Sequence, residues 1–140
     1  YERQAEKIHR ALFANYTRKK ITYLGKVLSE VEYLAQDRVA ILCLSLKDLS
    51  DHALDMDDSR DVIDMIMNVN SVECAALFRE EAPGVYRMSL RSKGHLEVLN
   101  IAEGVGGGGH LYAAGAEIKG QFSDIRKKVV DLLLARLDKR

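Results

Sequence analysis

The sequence has no tryptophan, one proline (Pro83) and two cysteines among 140 residues. Two cysteines do not make a disulfide framework. Cys43 and Cys74 each lie in an apolar run and read as buried free thiols of a cytoplasmic protein. A single proline excludes a proline-rich linker. Net charge is absent too, with 21 Lys and Arg against 21 Asp and Glu. That excludes bulk electrostatic capture of nucleic acid or membrane, while leaving room for a local basic site. No apolar run approaches the roughly 18 residues that span a bilayer, and no secretory leader is visible. The first residue is Tyr rather than Met, so the expectation is a piece of a longer protein.

What is present is a 47% hydrophobic fraction, enough to give one domain a core. Charge is distributed unevenly. Between Lys47 and Asp64, seven aspartates (Asp48, Asp51, Asp55, Asp57, Asp58, Asp61 and Asp64) face only Lys47 and Arg60. Between Val85 and Lys119 the bases are Arg87, Arg91, Lys93 and Lys119, with His95 and His110, against Glu97, Glu103 and Glu117. Positive charge therefore gathers around the glycine run GVGGGGH at 104–110.

Periodicity predicts a helix over 1–17, with Ile8, Leu12 and Tyr16 in register, and a second over about 18–30 with Ile21, Leu24 and Leu28 inward. Strands are expected at 31–34 and 39–45 around the turn Gln36-Asp37-Arg38. VAILCL is apolar throughout, as in a strand covered on both faces. Residues 46–58 read as loop with short helical turns. A helix capped by Asp58 or Ser59 runs to about Asn68 with Val62, Ile63 and Ile66 inward. VECAALFRE and VYRMSLR form a hairpin about Pro83-Gly84. A short helix follows at 98–103 and a short strand at 116–119. The last helix, over 122–137, has Ser123 as N-cap and Phe122, Ile125, Val129, Leu132, Leu133 and Leu137 on one face. The class is α+β, a mixed sheet of about five strands with helices packed on it.

The glycine run formally matches G-x-G-x-x-G at 104–109. A dinucleotide fingerprint needs a strand before it and an acid at the end of a second strand, and neither is found; LNIAEG reads as helix. No Lys-Ser or Lys-Thr follows, so a Walker A loop is also excluded. Glycines allow φ > 0 and let consecutive N–H groups converge on an anion, and His110 adds a titratable donor. In VYRMSLR a period of two puts Arg87, Ser89 and Arg91 on one face and Tyr86, Met88 and Leu90 on the other. Arginine forks, a hydroxyl and bare glycine make a phosphate-recognition set.

SLRSKG at 89–94 and GGGGHLYAAG at 106–115 resemble the C-terminal associated domain of the DHH phosphoesterases. VECAALFREEAPGVYRMSLRSKG and IHRALFANYT are similar to its subgroup of small oligoribonucleases and phosphoadenosine-phosphate phosphatases, often described as exopolyphosphatase-related. The resemblance implies a substrate-binding lobe at 18–140, preceded by an interlobe linker helix at 1–17. It implies that Arg91 and Ser92 contact a substrate phosphate or the terminal nucleotide. Gly107, Gly108 and Gly109 would offer backbone donors or close approach, and His110 a hydrogen bond near the scissile bond. Arg87, Ser89 and Lys93 are additional candidates. The parent would be a hydrolase, conceivably homodimeric, whose N-terminal lobe holds two manganese ions on an Asp-His-His cluster. This chain has no such cluster, only Asp51-His52-Ala53, and its Asp55-x-Asp57 lacks the glycine and distal Glu of an EF-hand. It is therefore expected to carry no metal or catalytic residue, and to bind without hydrolysing. The alternative is a non-catalytic nucleic-acid-binding module, like the C-terminal domain of alanyl-tRNA synthetases.

Overall fold

A computed structural model describes residues 17–51 and 56–138. The expected linker helix therefore lies outside the described residues except at its end. There Thr17 is extended, and its side chain accepts from the Lys20 N–H at 3.0 Å, which starts helix α1 (Arg18–Ser29). His52 also lies outside them.

Strands β1 (Glu32–Leu34) and β2 (Val39–Leu44) form an antiparallel pair. The turn between them holds Ala35, Gln36 and Asp37 at φ of 54°, 60° and 63°. Three successive left-handed residues without glycine are costly. The turn is held by Arg38, whose N–H donates to the Leu34 carbonyl and whose Nε pairs with Glu73, and by Ser71 donating to the Asp37 carbonyl. Helices α2 (Leu46–Asp51) and α3 (Met56–Met67) carry the chain to β3 (Cys74–Ala82), which lies parallel to β2. The aspartate-rich stretch thus contains a helix, and α3 begins before Asp58 and Ser59, so neither caps it. The hairpin partner β4 (Val85–Ser92) and the short helix α4 (Leu99–Gly104) follow. Next come β5 (Gly108–His110), β6 (Ala113–Lys119) and helix α5 (Phe122–Asp138).

The six strands lie in the order β1-β2-β3-β4-β6-β5, antiparallel except for β2–β3. The α+β mixed sheet is as expected, but with a sixth strand, because the glycine run itself pairs with β6. A glycine segment carries no side-chain alternation by which to read it as a strand. β6 is also longer than expected, since Ala113–Gly115 extend it opposite β4.

One face of the sheet packs Ile41, Phe78, Met88, Leu90 and Ala116 against Ile101 of α4 and Val129 and Leu133 of α5. The other packs Ala40, Leu42, Leu44, Ala75 and Leu77 against Tyr23, Leu24 and Val27 of α1 and Val62, Ile63 and Ile66 of α3. Both helix faces involving α1 and α5 are rotated from the sequence reading. Ile21 is 53% exposed and Tyr23 takes the core, while Leu132 points outward and Val130 inward. Ser123 lies inside α5, and the Gln121 carbonyl accepts the first helical N–H groups instead. Among the described residues no helix is long and apolar enough to cross a membrane.

Candidate phosphate-binding cleft

The helices of the second face cover only the β1–β3 half of the sheet. Over the other half no described helix covers the same face, and its side chains follow from register. Ala75, Arg91, Ala113 and His110 form one row across β3, β4, β6 and β5; Leu77, Ser89, Gly115 and Gly108 form the next; Arg79, Arg87 and Glu117 form the third. A cleft of about 280 Å³ occupies this ground. Its floor includes Ser89 and Gly115, one wall is Gly108 and Gly109, and the other is Ser59, Arg60 and Ile63 of α3.

Among the described residues four arginines line the cleft (Arg60, Arg79, Arg87 and Arg91), and no carboxylate does. Arg91 makes no hydrogen bond or ion pair among the described residues, so its planar fork faces the cleft uncommitted. Arg79 and Arg87 share one carboxylate, that of Glu81, at 3.5 and 3.6 Å. The period-two reading of β4 therefore holds: Arg87, Ser89 and Arg91 face the cleft while Tyr86, Met88 and Leu90 are buried.

The remaining candidates sit around it. Gly108 and Gly109 line the wall, but Gly107 does not. A Cβ on Gly107 would lie 2.0 Å from the Gly115 carbonyl oxygen, so the bare backbone there serves close packing of two strands. His110 ends β5, exposed, in the row of Arg91 and two strands from it, about 10 Å by strand spacing. Ser92 turns away to organise the next loop: its Oγ accepts from the N–H groups of Gly94 and Leu96, and its own N–H donates to the Tyr112 carbonyl. Lys93 donates from Nζ to the carbonyls of Val69 at 2.7 Å and Asn70 at 3.4 Å, in the loop between α3 and β3. The sequence reading gives Ser59 only as a helix-cap candidate and does not mark Arg60 or Arg79 as site residues.

This arrangement can hold an anion. Its donors are guanidinium groups, hydroxyls and glycine backbone, a set that repels a divalent cation and does not fit manganese. Among the described residues no group of three or more His, Cys, Asp or Glu side chains could hold a metal. Nor is the cysteine on the neighbouring strand a nucleophile. Burial, reinforced by the charges of Glu80 and Asp48, pushes the Cys43 thiol up to about 11, so it stays protonated at neutral pH.

Residues 36–139 match the DHHA1 domain. Over 64 residues, 46% of this chain, the sequence is 41% identical to the bifunctional oligoribonuclease and PAP phosphatase NrnA of Thermus thermophilus, of which the match covers 19%. The fold is similar to that of an exopolyphosphatase-related protein from Bacteroides fragilis, with a TM-score of 0.81 and 23% identity over 94% of this chain and 38% of that one. It is also similar to the pGpG-specific phosphodiesterase PggH from Vibrio cholerae, with a TM-score of 0.62 and 14% identity over 85% of this chain and 40% of that one. The chain thus spans well under half the length of each of these proteins. With most of its residues matched, and with the motifs SLRSKG and GGGGH built around one cleft, the chain belongs to the DHHA1 domain family.

Proposed function

We propose that this chain is the substrate-binding lobe of a metal-dependent phosphoesterase that acts on short oligoribonucleotides or 3′-phosphoadenosine nucleotides. The carrying observation is the uncommitted Arg91 guanidinium beside Gly108 and Gly109, in a cleft lined, among the described residues, by cations and neutral groups. A phosphate oxygen pair suits the two parallel donors of an arginine fork, and glycine backbone lets it approach closely. His110, on the same sheet face at the edge strand, reaches a phosphate from the other side. Ser92, turned from the cleft, acts through the loop that its hydroxyl oxygen holds. Gly107 serves as the close-packed base of the glycine strand. Arg87 and Ser89 line the same cleft, while Lys93 acts through the loop it fastens.

On this reading residues 18–140 are the binding lobe and residues 1–17 lead from a metal-bearing N-terminal lobe. The two manganese ions and the attacking water belong to that lobe, which is the chain's partner in cis. By itself the chain binds and does not hydrolyse. The relatives named for oligoribonuclease, PAP phosphatase and pGpG phosphodiesterase activity support a phosphoester of a nucleotide as the ligand class.

Calorimetric titration with adenosine 3′,5′-bisphosphate and with a short oligoribonucleotide tests this. Arg91→Ala should weaken binding about tenfold or more, the scale of a lost charge-assisted pair. His110→Ala should weaken it severalfold. Equal affinity of wild type and both variants contradicts the assignment. Tight binding of whole tRNA with a steep salt dependence would instead favour a general nucleic-acid grip.

A further inference from the structure

We infer that Arg79 and Arg87, bridged from outside the cleft lining by Glu81, form a second phosphate subsite in the cleft, one that recognises the terminal phosphate of a linear dinucleotide. This rests on the phosphate-binding reading of the Arg91 end. The two ends of the cleft are distinct places. Arg87 and Arg91 are four residues apart on β4, about 13 Å between Cα atoms at the usual strand rise. Arg87 is turned to Glu81 at the hairpin end, away from Arg91, and this spacing is on the scale of a nucleoside with a phosphate at each end. On the sheet between them the intervening row, Ser89, Leu77, Gly115 and Gly108, carries no charged side chain. A cleft with cations at both ends and a neutral, partly apolar middle matches a ligand of the same layout.

The Arg79 end is built, not incidental. The Arg79 side chain is only 20% exposed, and among the described residues Glu81 alone engages it. A guanidinium carries five N–H donors, and one carboxylate at 3.5 Å leaves most of them facing the cleft. Across the hairpin Arg87 stands directly opposite Arg79, at a position where two like charges repel each other. Their juxtaposition comes from an irregularity of the hairpin. Ala82 pairs with Val85 and Glu80 with Tyr86, so Glu81 is an extra residue on β3. The bulge slides Arg79 into register with Arg87 and leaves Glu81 free to bridge the pair. Two cations share one anion, so one positive charge remains for a ligand. Glu117, Arg87's register partner on β6, is exposed and makes no ion pair among the described residues.

The experiment compares pApA with ApA, which differ only in the terminal phosphate, for the full chain and two variants. Wild type should prefer pApA about tenfold, the scale of one charge-assisted contact. Arg79→Gln should abolish that preference while leaving ApA affinity unchanged. Glu81→Gln should raise the preference severalfold, because it removes the internal competitor for both guanidiniums. A merely structural role for the bridge would instead lower affinity for both ligands in both variants. Equal wild-type affinity for pApA and ApA, with both lost in Arg91→Ala, overturns the second subsite and leaves the first standing. Failure to bind either dinucleotide overturns both.

Discussion

Glycine in the run at 104–109 has two separate uses, and the space around each position divides them. A Cβ on Gly107 would meet Gly115 and Ala116 at 2.0–2.8 Å, and one on Gly109, whose φ is 137°, would meet Ala113 and Ala114 at 2.7–3.2 Å. A Cβ on Gly108 would meet nothing within 4 Å, and by register it would project on the side of Ser89 and the cleft. Gly107→Ala should therefore destabilise the fold by about 3 kcal/mol in urea unfolding, the scale of a backbone overpacking error. Gly108→Ala should change stability by less than about 1 kcal/mol, yet weaken adenosine bisphosphate binding. Equal effects of the two substitutions on stability would contradict this division. The same scale explains what could be read from the sequence. Arg87, Ser89 and Arg91 alternate with buried residues inside one strand, so a period of two finds them. Arg79 stays hidden for a different reason. Counting back from Pro83-Gly84 without a bulge pairs Glu80, not Arg79, with Arg87, and only the extra residue at Glu81 corrects the register. Ser59 and Arg60 come to the cleft through tertiary packing of α3, which leaves no local signature.

At the level of elements, hydrophobic spacing locates the helices and leaves their rotation open. In α1 Ile21 stands one turn before Leu24 and Tyr23 one turn before Val27, and the sheet takes Tyr23, Leu24 and Val27. In α5, VVDLLL offers two overlapping faces. Val129, Val130 and Leu133 win the core, and Leu132 is left 36% exposed. Leu133→Ala should cost about 2–5 kcal/mol, and Leu132→Ala under about 1 kcal/mol, by thermal or denaturant unfolding. Similar costs for both would mean that α5 is rotated from its place here. β5 was illegible because three residues, two of them glycine, carry neither alternation nor β-propensity. Its strand character comes entirely from pairing with β6, whose small residues Ala113, Ala114 and Gly115 let the glycine backbone approach. The bare backbone at 106–109 and the small-residue run at 113–116 are two halves of one close-packed ribbon.

Across the whole molecule, neutral total charge conceals a polarised surface. Four arginines line one cleft: Arg79, Arg87 and Arg91 come from the hairpin, and Arg60 comes from within the aspartate-rich stretch 47–64. A compact cationic site in a neutral chain suits a small ligand carrying one or two phosphates. It does not suit a long polyanion, whose capture depends on a broad positive field. The asymmetry of the sheet makes this site: among the described residues one face is covered along its length, while the other is covered over β1–β3 and open over β4, β6 and β5. On the proposed function, such a half-face is where a second lobe would bring its chemistry to a held substrate.

An amide NMR titration of the isolated chain with adenosine 3′,5′-bisphosphate tests the central claim most directly. The account predicts that the largest shifts fall on Ser89, Arg91, Gly108, Gly109 and Ala113–Gly115, the residues that meet at the cleft. Arg91→Ala should abolish them, and their apparent affinity should fall with log salt at a slope of only about one to two, as for one or two phosphates. Shifts confined to the separate surface around Gly120, Asp124 and Lys128, or none at millimolar ligand, would contradict it.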